Sequence, residues 1–272
     1  MPSKMRNRIK YSQNFIKDIN LITKLVNKSS IDKNDIVVEI GAGEGIITSV
    51  LSNYAKSVVA YEIDENYVKK LSSKFNNTPN VELRHENFLN ADLPNIPYKV
   101  FSNIPFNMTA DIMKKLFLTN DPPSDSFLIL QIEAAMRFIG KPVNVKNSLQ
   151  AVLIYPWFEI EIIHEFNSND FFPKPNVKIV LINVKKRNSS LIMNAKKQNY
   201  YDFIAYTYTQ HKPKLPGNAT QSELGLNEGI KLFKENKNQV IKGSYKKLIR
   251  QQENIEKIHR TRVDKSWRDF DK

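Results

Sequence analysis

The 272-residue sequence predicts an α/β protein, a doubly wound and largely parallel sheet followed by a smaller, mainly helical domain. Three observations predict it. Short β-branched runs alternate with helix-period segments from residue 35 to residue 140. Three of the eight glycines fall within Gly41–Gly45, between the first such run and the helical segment after it. Beyond Lys186 the β-branched runs stop, and a basic segment with helical periodicity takes over.

In order, DIVVEIGAG (35–43) reads as a buried strand ending in glycines, and GIITSVLSNYA (45–55) as the helix that follows. SVVAYEID (57–64) is a second strand and ENYVKKLSSKF (65–75) a second helix. VELRHENF (81–88) and YKVFSNIPF (98–106) are the next two strands. TADIMKKLFL (109–118) is a helix with Thr109 as its N-cap, and SFLILQIEAAMRFIG (126–140) a strand running into a helix. Residues 149–166 and 177–186 are strand-rich and fit an antiparallel edge. The resulting organisation is a basic N-terminal arm (1–17), a sheet domain (18–183) and a basic helical domain (184–272).

Charge follows that division. The arm carries five basic residues, including Arg6, Arg8 and Lys10, and no acidic one. Residues 18–183 carry 16 basic and 19 acidic groups, and residues 184–272 carry 20 and 9. A near-neutral body flanked by basic segments suits a phosphate backbone, which binds through counterion release without any base being read. Arg6, Arg8 and Lys10 are the arm residues assigned to that contact. The aromatic cluster Tyr200, Tyr201, Phe203, Tyr206 and Tyr208 could be a stacking platform, but its spacing fits better as helix core.

Several classes are excluded. With no cysteine there is no disulfide framework, thiol nucleophile or thiolate metal site. The four histidines, His85, His164, His211 and His259, are not at metal-ligand spacing, so no metal is expected. No apolar run reaches the roughly 20 residues a membrane span needs, and the N-terminus lacks a secretory apolar core. A cytoplasmic protein is expected, and nothing in the sequence calls for more than a monomer.

Gly41-Ala42-Gly43-Glu44-Gly45 lies at the carboxyl edge of the predicted sheet, where α/β proteins bind ligands. The dinucleotide pattern GxGxxG would need glycine at position 46, which is Ile46. The GxGxG spacing instead favours an S-adenosyl-L-methionine loop. Glu62 ends the next strand, where a carboxylate can accept both ribose hydroxyls, though the same position serves nicotinamide enzymes. Asn103-Ile104-Pro105-Phe106 closes the fourth strand. An exocyclic amine such as adenine N6 is a poor nucleophile because its lone pair is delocalised into the ring. An Asn oxygen and a backbone carbonyl accepting its two N–H groups would localise that pair. The proline fixes the turn, and the aromatic ring can stack on a flipped base.

SQNF (12–15), EIGAGEG (39–45), YEID (61–64), NIPF (103–106) and FFPKPNV (171–177) follow the order and spacing of the rRNA adenine N6-methyltransferases, which the sequence therefore resembles over residues 11–186. SQNF, Ile104, EAAMRFIGKP (133–142) and SLQAVLIYPWFEIEII (148–163) resemble the erythromycin-resistance (Erm) branch more than the KsgA-type small-subunit enzymes. The resemblance implies a Rossmann-like methyltransferase fold that uses S-adenosyl-L-methionine to methylate N6 of a flipped adenine in 23S rRNA. Free RNA or a large-subunit precursor would be the partner, and macrolide–lincosamide–streptogramin B resistance the outcome.

It further implies roles for individual residues. Gln13, Asn14, Gly41, Gly43, Gly45 and Glu62 would hold the cofactor, with Asn103 at its edge. Asn103 and the Ile104 carbonyl would position N6, Pro105 would set the turn, and Phe106 and Phe171 would flank the adenine. Asn87 stands where the family usually has an Asp that accepts from the cofactor's adenine amino group. Residues from about 218 onward do not match the family. Three other readings remain: KsgA-type dimethylation of 16S rRNA, a non-enzymatic RNA-binding descendant of the fold, and a nicotinamide oxidoreductase, which Ile46 disfavours.

Overall fold

The computed structural model describes residues 14–140, 148–209, 225–236 and 240–251. The elements run β1 (Phe15–Ile16), α1 (Ile19–Asn27), β2 (Ile36–Ile40), α2 (Ile46–Tyr54), β3 (Ser57–Glu62), α3 (Glu65–Phe75), β4 (Val81–His85), β5 (Lys99–Asn103) and α4 (Thr109–Phe117). They continue with β6 (Asp125–Gln131), α5 (Ile132–Ile139), α6 (Leu149–Ile154), β7 (Phe158–Glu165), β8 (Phe171–Phe172), β9 (Ile179–Lys186), α7 (Lys197–Thr209) and α8 (Leu226–Glu235). Within the described residues there are two compact units. One holds the chain up to residue 140 together with 157–189, and the other holds 148–156 together with 190 onward.

The first unit is built on a seven-stranded sheet of order β4-β3-β2-β5-β6-β9-β7. β4, β3, β2, β5 and β6 are parallel, and β9 pairs antiparallel with both β6 and β7. Strands buried on both faces read as near-continuous apolar runs, and Val37, Val38, Val100, Phe101, Leu128 and Ile129 are all fully buried. The reversal of strand order at β2 and β5 opens a crevice at their carboxyl ends. A separate two-stranded ribbon pairs Phe15 with Phe172 and Ile16 with Phe171. β1 and α1 precede the first element expected from the sequence; α1 is set by Asp18, whose carboxylate accepts from the Asn20 and Leu21 N–H groups.

Two local expectations are corrected. Residues 149–154 are helical rather than strand. Ser148 caps the segment by accepting from the Ala151 N–H, and Ala151–Ile154 are all buried. A helix buried on every side has no polar stripe, so its apolar run looks like a buried strand. Thr109 is the first helical residue of α4 rather than its cap. Its hydroxyl donates to the Phe106 carbonyl at 3.0 Å, and Met108 takes the cap position.

The second unit packs α6, α7 and α8 together. The Tyr200 hydroxyl donates to the Val152 carbonyl at 2.9 Å, and the Phe233 ring meets Tyr200 and Phe203 edge-on. Tyr200, Tyr201 and Phe203 are core residues, as their spacing suggested; the side chain of Tyr208 lies outside the described residues. Asp202 accepts from the Gly243 and Tyr245 N–H groups, tying the start of the helical segment 244–251 to α7. No helix among the described residues is long and apolar enough to cross a membrane.

Candidate active site

The carboxyl ends of β2, β3, β4 and β5 bring four sequence-predicted segments to one edge of the sheet. After β2 the chain turns through 41–45 into α2. Gly41 and Ala42 both donate to the Tyr61 carbonyl, and Gly45 to the Ala42 carbonyl. Gly43 and Gly45 hold φ values of +54° and +73°, in the left-handed region that glycine adopts without steric cost. Space imposes the same choice. A Cβ on Gly43 would lie 2.7 Å from the Phe15 ring, and one on Gly45 would lie 2.6 Å from Leu71 and 2.9 Å from Phe75.

Glu62, 2% exposed, is the anchor of this loop. Its Oε2 accepts from the Gly43 N–H at 2.8 Å, and its Oε1 from the Ile63 and Asp64 N–H groups at 2.8 and 2.9 Å. A carboxylate offers about four acceptor positions. Three are taken, which leaves one acceptor position on Glu62 in the structure as it stands.

Asn87, just beyond β4, is also partly committed. Its Oδ1 accepts from the Leu89 N–H at 3.0 Å, closing an Asx-turn, which leaves one lone pair for another donor.

At the end of β5, the Asn103 amide nitrogen donates to the Asn14 carbonyl at 2.7 Å. Its Oδ1 is buried and has no partner among the described residues. An orphaned buried acceptor costs about 1–3 kcal/mol, and this one lies on the wall of the cleft, within reach of anything that enters it. Ile104, 1% exposed, is packed beneath it, and its N–H reaches the Ile129 carbonyl at 3.2 Å. Pro105 has φ −58° and leads into a single 3₁₀ turn whose first residue is Phe106. The Phe106 ring is half-buried against the core.

Two small cavities, of about 30 and 40 Å³, share Phe15, Gly41 and Asn103 in their walls. Glu39 and Glu44 are among the other walls of the first, and Asn14, Pro105 and Phe106 among those of the second. A small-molecule site needs roughly 300 Å³ or more. Both cavities are smaller than that as they stand; the Phe15 ring, which rests 5.3 Å from Tyr67, forms a wall of each.

Phe171 is not part of this cleft. It is 0% exposed, packs edge-on against Phe166 and belongs to the core, so it presents no free face to a base. Side chains alternate along a strand, so its neighbour Phe172 points outward and is 66% exposed. Gln13, Arg6, Arg8 and Lys10 lie outside the described residues.

Two residues of the site, Phe15 and Glu39, lie within the sequence motifs but have no role legible there. Phe15 covers the glycine loop, and Glu39, 1% exposed, forms cleft wall. Burial pushes the Glu39 carboxyl up from 4.5 to about 8, reinforced by Glu62. The hydrogen bond from the Thr48 hydroxyl, at 2.5 Å, pulls it down, as does the charge of Lys74. An acid whose pKa is raised by folding subtracts stability as pH climbs from its unfolded to its folded value. Glu39→Gln is accordingly expected to unfold several degrees higher than the parent at pH 8.5 and at nearly the same temperature at pH 5. Thermal melts at the two pH values check it.

The cleft fits S-adenosyl-L-methionine. It offers a glycine turn at the carboxyl edge of the sheet, Glu39 and Glu44 on the wall for a ligand carrying positive charge, and an Asn103 oxygen with no partner among the described residues.

Comparison with known proteins agrees. The chain is 35% identical over 224 residues to the ribosomal RNA small subunit methyltransferase A of Aster yellows witches'-broom phytoplasma (strain AYWB), covering 78% of this chain and 80% of that protein. It is 29% identical over 230 residues to the protein of the same description from Streptococcus thermophilus (strain ATCC BAA-491 / LMD-9), covering 81% and 79%.

The fold matches the crystal structure of the 23S rRNA methyltransferase ErmE, with a TM-score of 0.69, 24% identity, and 81% and 98% of the two chains covered. It also matches a dimethyladenosine transferase from Plasmodium falciparum, with a TM-score of 0.65, 19% identity, and 82% and 98% covered. The sheet is thus the Rossmann-like methyltransferase fold with a helical C-terminal part. Since the profile of the ribosomal RNA adenine dimethylase family matches residues 4–257, nearly the whole chain, the protein belongs to that family.

Proposed function

We propose that this protein transfers methyl groups from S-adenosyl-L-methionine to N6 of adenine in small-subunit ribosomal RNA, and that a second round yields dimethyladenine. The observation that carries the chemistry is the buried, unpartnered Oδ1 of Asn103 at the carboxyl edge of the sheet. The small-subunit target is supported by the relatives at 28–35% identity, all described as small-subunit enzymes. This replaces the 23S rRNA and antibiotic-resistance expectation. The likeness to ErmE stands at 24% identity and speaks for the fold alone.

When bound, S-adenosyl-L-methionine supplies an electrophilic methyl group. The chain supplies position and electrostatics. Asn103 Oδ1 accepts one N6–H, and the adjoining Ile104 carbonyl accepts the other, drawing the amine toward tetrahedral geometry. Its Nδ2 bond to the Asn14 carbonyl fixes which end of the amide faces the cleft. Phe106 stacks on the base, contributing about 1–3 kcal/mol. Gly41, Gly43 and Gly45 let the backbone approach the cofactor, with Glu62 fixing that loop and offering its remaining acceptor position to a ribose hydroxyl. Asn87 keeps one lone pair for the cofactor's adenine, and Gln13 and Asn14 are assigned to cofactor binding. Arg6, Arg8 and Lys10 hold the RNA backbone.

Transfer of labelled methyl groups to small-subunit particles and to deproteinised large-subunit RNA, side by side, tests the target. Label confined to small-subunit RNA is expected. Label mapped to one adenine of large-subunit RNA would reinstate the Erm-type reading, and no label on either would favour a non-enzymatic RNA-binding role.

A further inference from the structure

Glu39 and Glu62 are the two buried glutamates among the described residues, and their surroundings differ. The Glu62 carboxylate is compensated by three backbone N–H groups. Among the described residues Glu39 draws its hydrogen bonds from Thr48 alone and has no cation in salt-bridge contact, and it forms part of the cleft wall with Gly41, Ala42 and Asn103. The charged groups acting on it are Glu62 from β3 and Lys74 from α3, with Glu44 on the same cavity. Lys74 is already engaged, donating to the Glu44 and Gly45 carbonyls at 3.2 and 3.0 Å. The other neighbours, Phe15 from β1, Asn103 from β5 and Thr48 from α2, do not titrate. The free cleft therefore holds an acid that is neutral at pH 7 and that any cationic ligand favours in its charged form.

We propose that Glu39 is the residue by which this cleft distinguishes the cationic methyl donor from the uncharged thioether left after transfer. It releases its proton to solvent when a sulfonium enters and takes one back when the thioether replaces it. Product is thereby held less tightly than donor, although the two ligands differ by a single methyl group and its charge. This assignment rests on the cleft being the S-adenosyl-L-methionine site.

Proton release coupled to binding gives a definite sign. Affinity for the donor rises with pH up to about 8 and levels off above it, because no proton then remains to be lost. One proton corresponds to at most a tenfold change per pH unit. Between pH 6.5 and 8.0 the donor is expected to bind roughly five- to thirtyfold more tightly, beyond the change seen for the thioether. Both ligands carry the same α-amino and carboxylate groups, so the difference between donor and thioether is read rather than either value alone.

The test is calorimetry on the full chain with S-adenosyl-L-methionine and with S-adenosylhomocysteine, at pH 7.0, in two buffers of different ionisation enthalpy. The parent protein is expected to release close to one proton more with the donor than with the thioether. Glu39→Gln is expected to lose that difference, and its preference for donor over thioether is expected to fall about five- to tenfold. Equal proton release for both ligands in the parent would overturn the assignment, as would an unchanged preference in the Gln variant. Should the variant fail to fold, the parent's two-buffer comparison decides alone. Binding of neither ligand would overturn the cofactor reading itself, and this assignment with it.

Discussion

Asn103→Ala is expected to lower methyl transfer by about 10²–10³-fold or more, while affinity for S-adenosyl-L-methionine stays within a few-fold of the parent. The loss is comparable to removing one preorganised polar group from a transition-state site, because Oδ1 has no partner among the described residues and the proposed mechanism assigns it to the amine. Stability should change little. Alanine gives up the Nδ2 bond to the Asn14 carbonyl but also removes a buried, unsatisfied oxygen, and the two effects are of similar size, about 1 kcal/mol each. Asn103→Asp is the informative partner. It keeps an acceptor but has no N–H for the Asn14 carbonyl, so a carboxylate would face a carbonyl oxygen, and both activity and stability should fall. Single-turnover kinetics, donor calorimetry and thermal melts on the two variants check these outcomes. Near-parental turnover in Asn103→Ala would remove the amine-positioning role.

The second large effect is on the glycine loop. Gly45→Ala is expected to destabilise the protein by about 2–4 kcal/mol, from a left-handed backbone at φ +73° and a Cβ placed 2.6 Å from Leu71 and 2.9 Å from Phe75. For a unit of this size that corresponds to a fall of roughly 5–15 °C in Tm. Gly43→Ala should cost less, although its nominal contact with Phe15, at 2.7 Å, is as close. The Phe15 ring sits on a two-residue strand that can shift, whereas Leu71 and Phe75 are held by α3. Melting both variants in the same buffer checks the order, and an equal loss would mean that β1 is as firmly seated as α3.

The sheet was legible in the sequence because its strands are buried on both faces. IVVEI and SVVAYE can be little else when a helix-period segment follows each. The same rule misled at 149–154, where a helix enclosed on every side shows no polar stripe. The site was legible as far as its residues carry chemistry along the chain: the glycines, Glu62 and Asn103 do converge at one edge. Which atoms are already committed was not legible. Nothing in YEID shows that Glu62 is held by three backbone N–H groups, and nothing in FFPKP shows that Phe171 faces the core while Phe172 faces solvent. Glu39 opens the very motif that located the loop, yet its meaning comes from burial, which its sequence neighbours do not report.

The RNA target shows a different limit. The large-subunit expectation leaned on local choices such as Ile104, and that side chain is 1% exposed. A residue packed wholly inside the protein records how the strand fits its neighbours, not which RNA the surface meets. Similarity over 224 residues includes the surface and weighs more.

Methyl transfer to N6 of adenine at the Asn103 site is decided by nucleoside mass analysis of small-subunit RNA treated with the protein and S-adenosyl-L-methionine. N6,N6-dimethyladenosine formed by the parent protein and absent with Asn103→Ala is the expected result. Methyl groups found only on ring nitrogens or ribose, or dimethyladenosine formed equally well by Asn103→Ala, would contradict it.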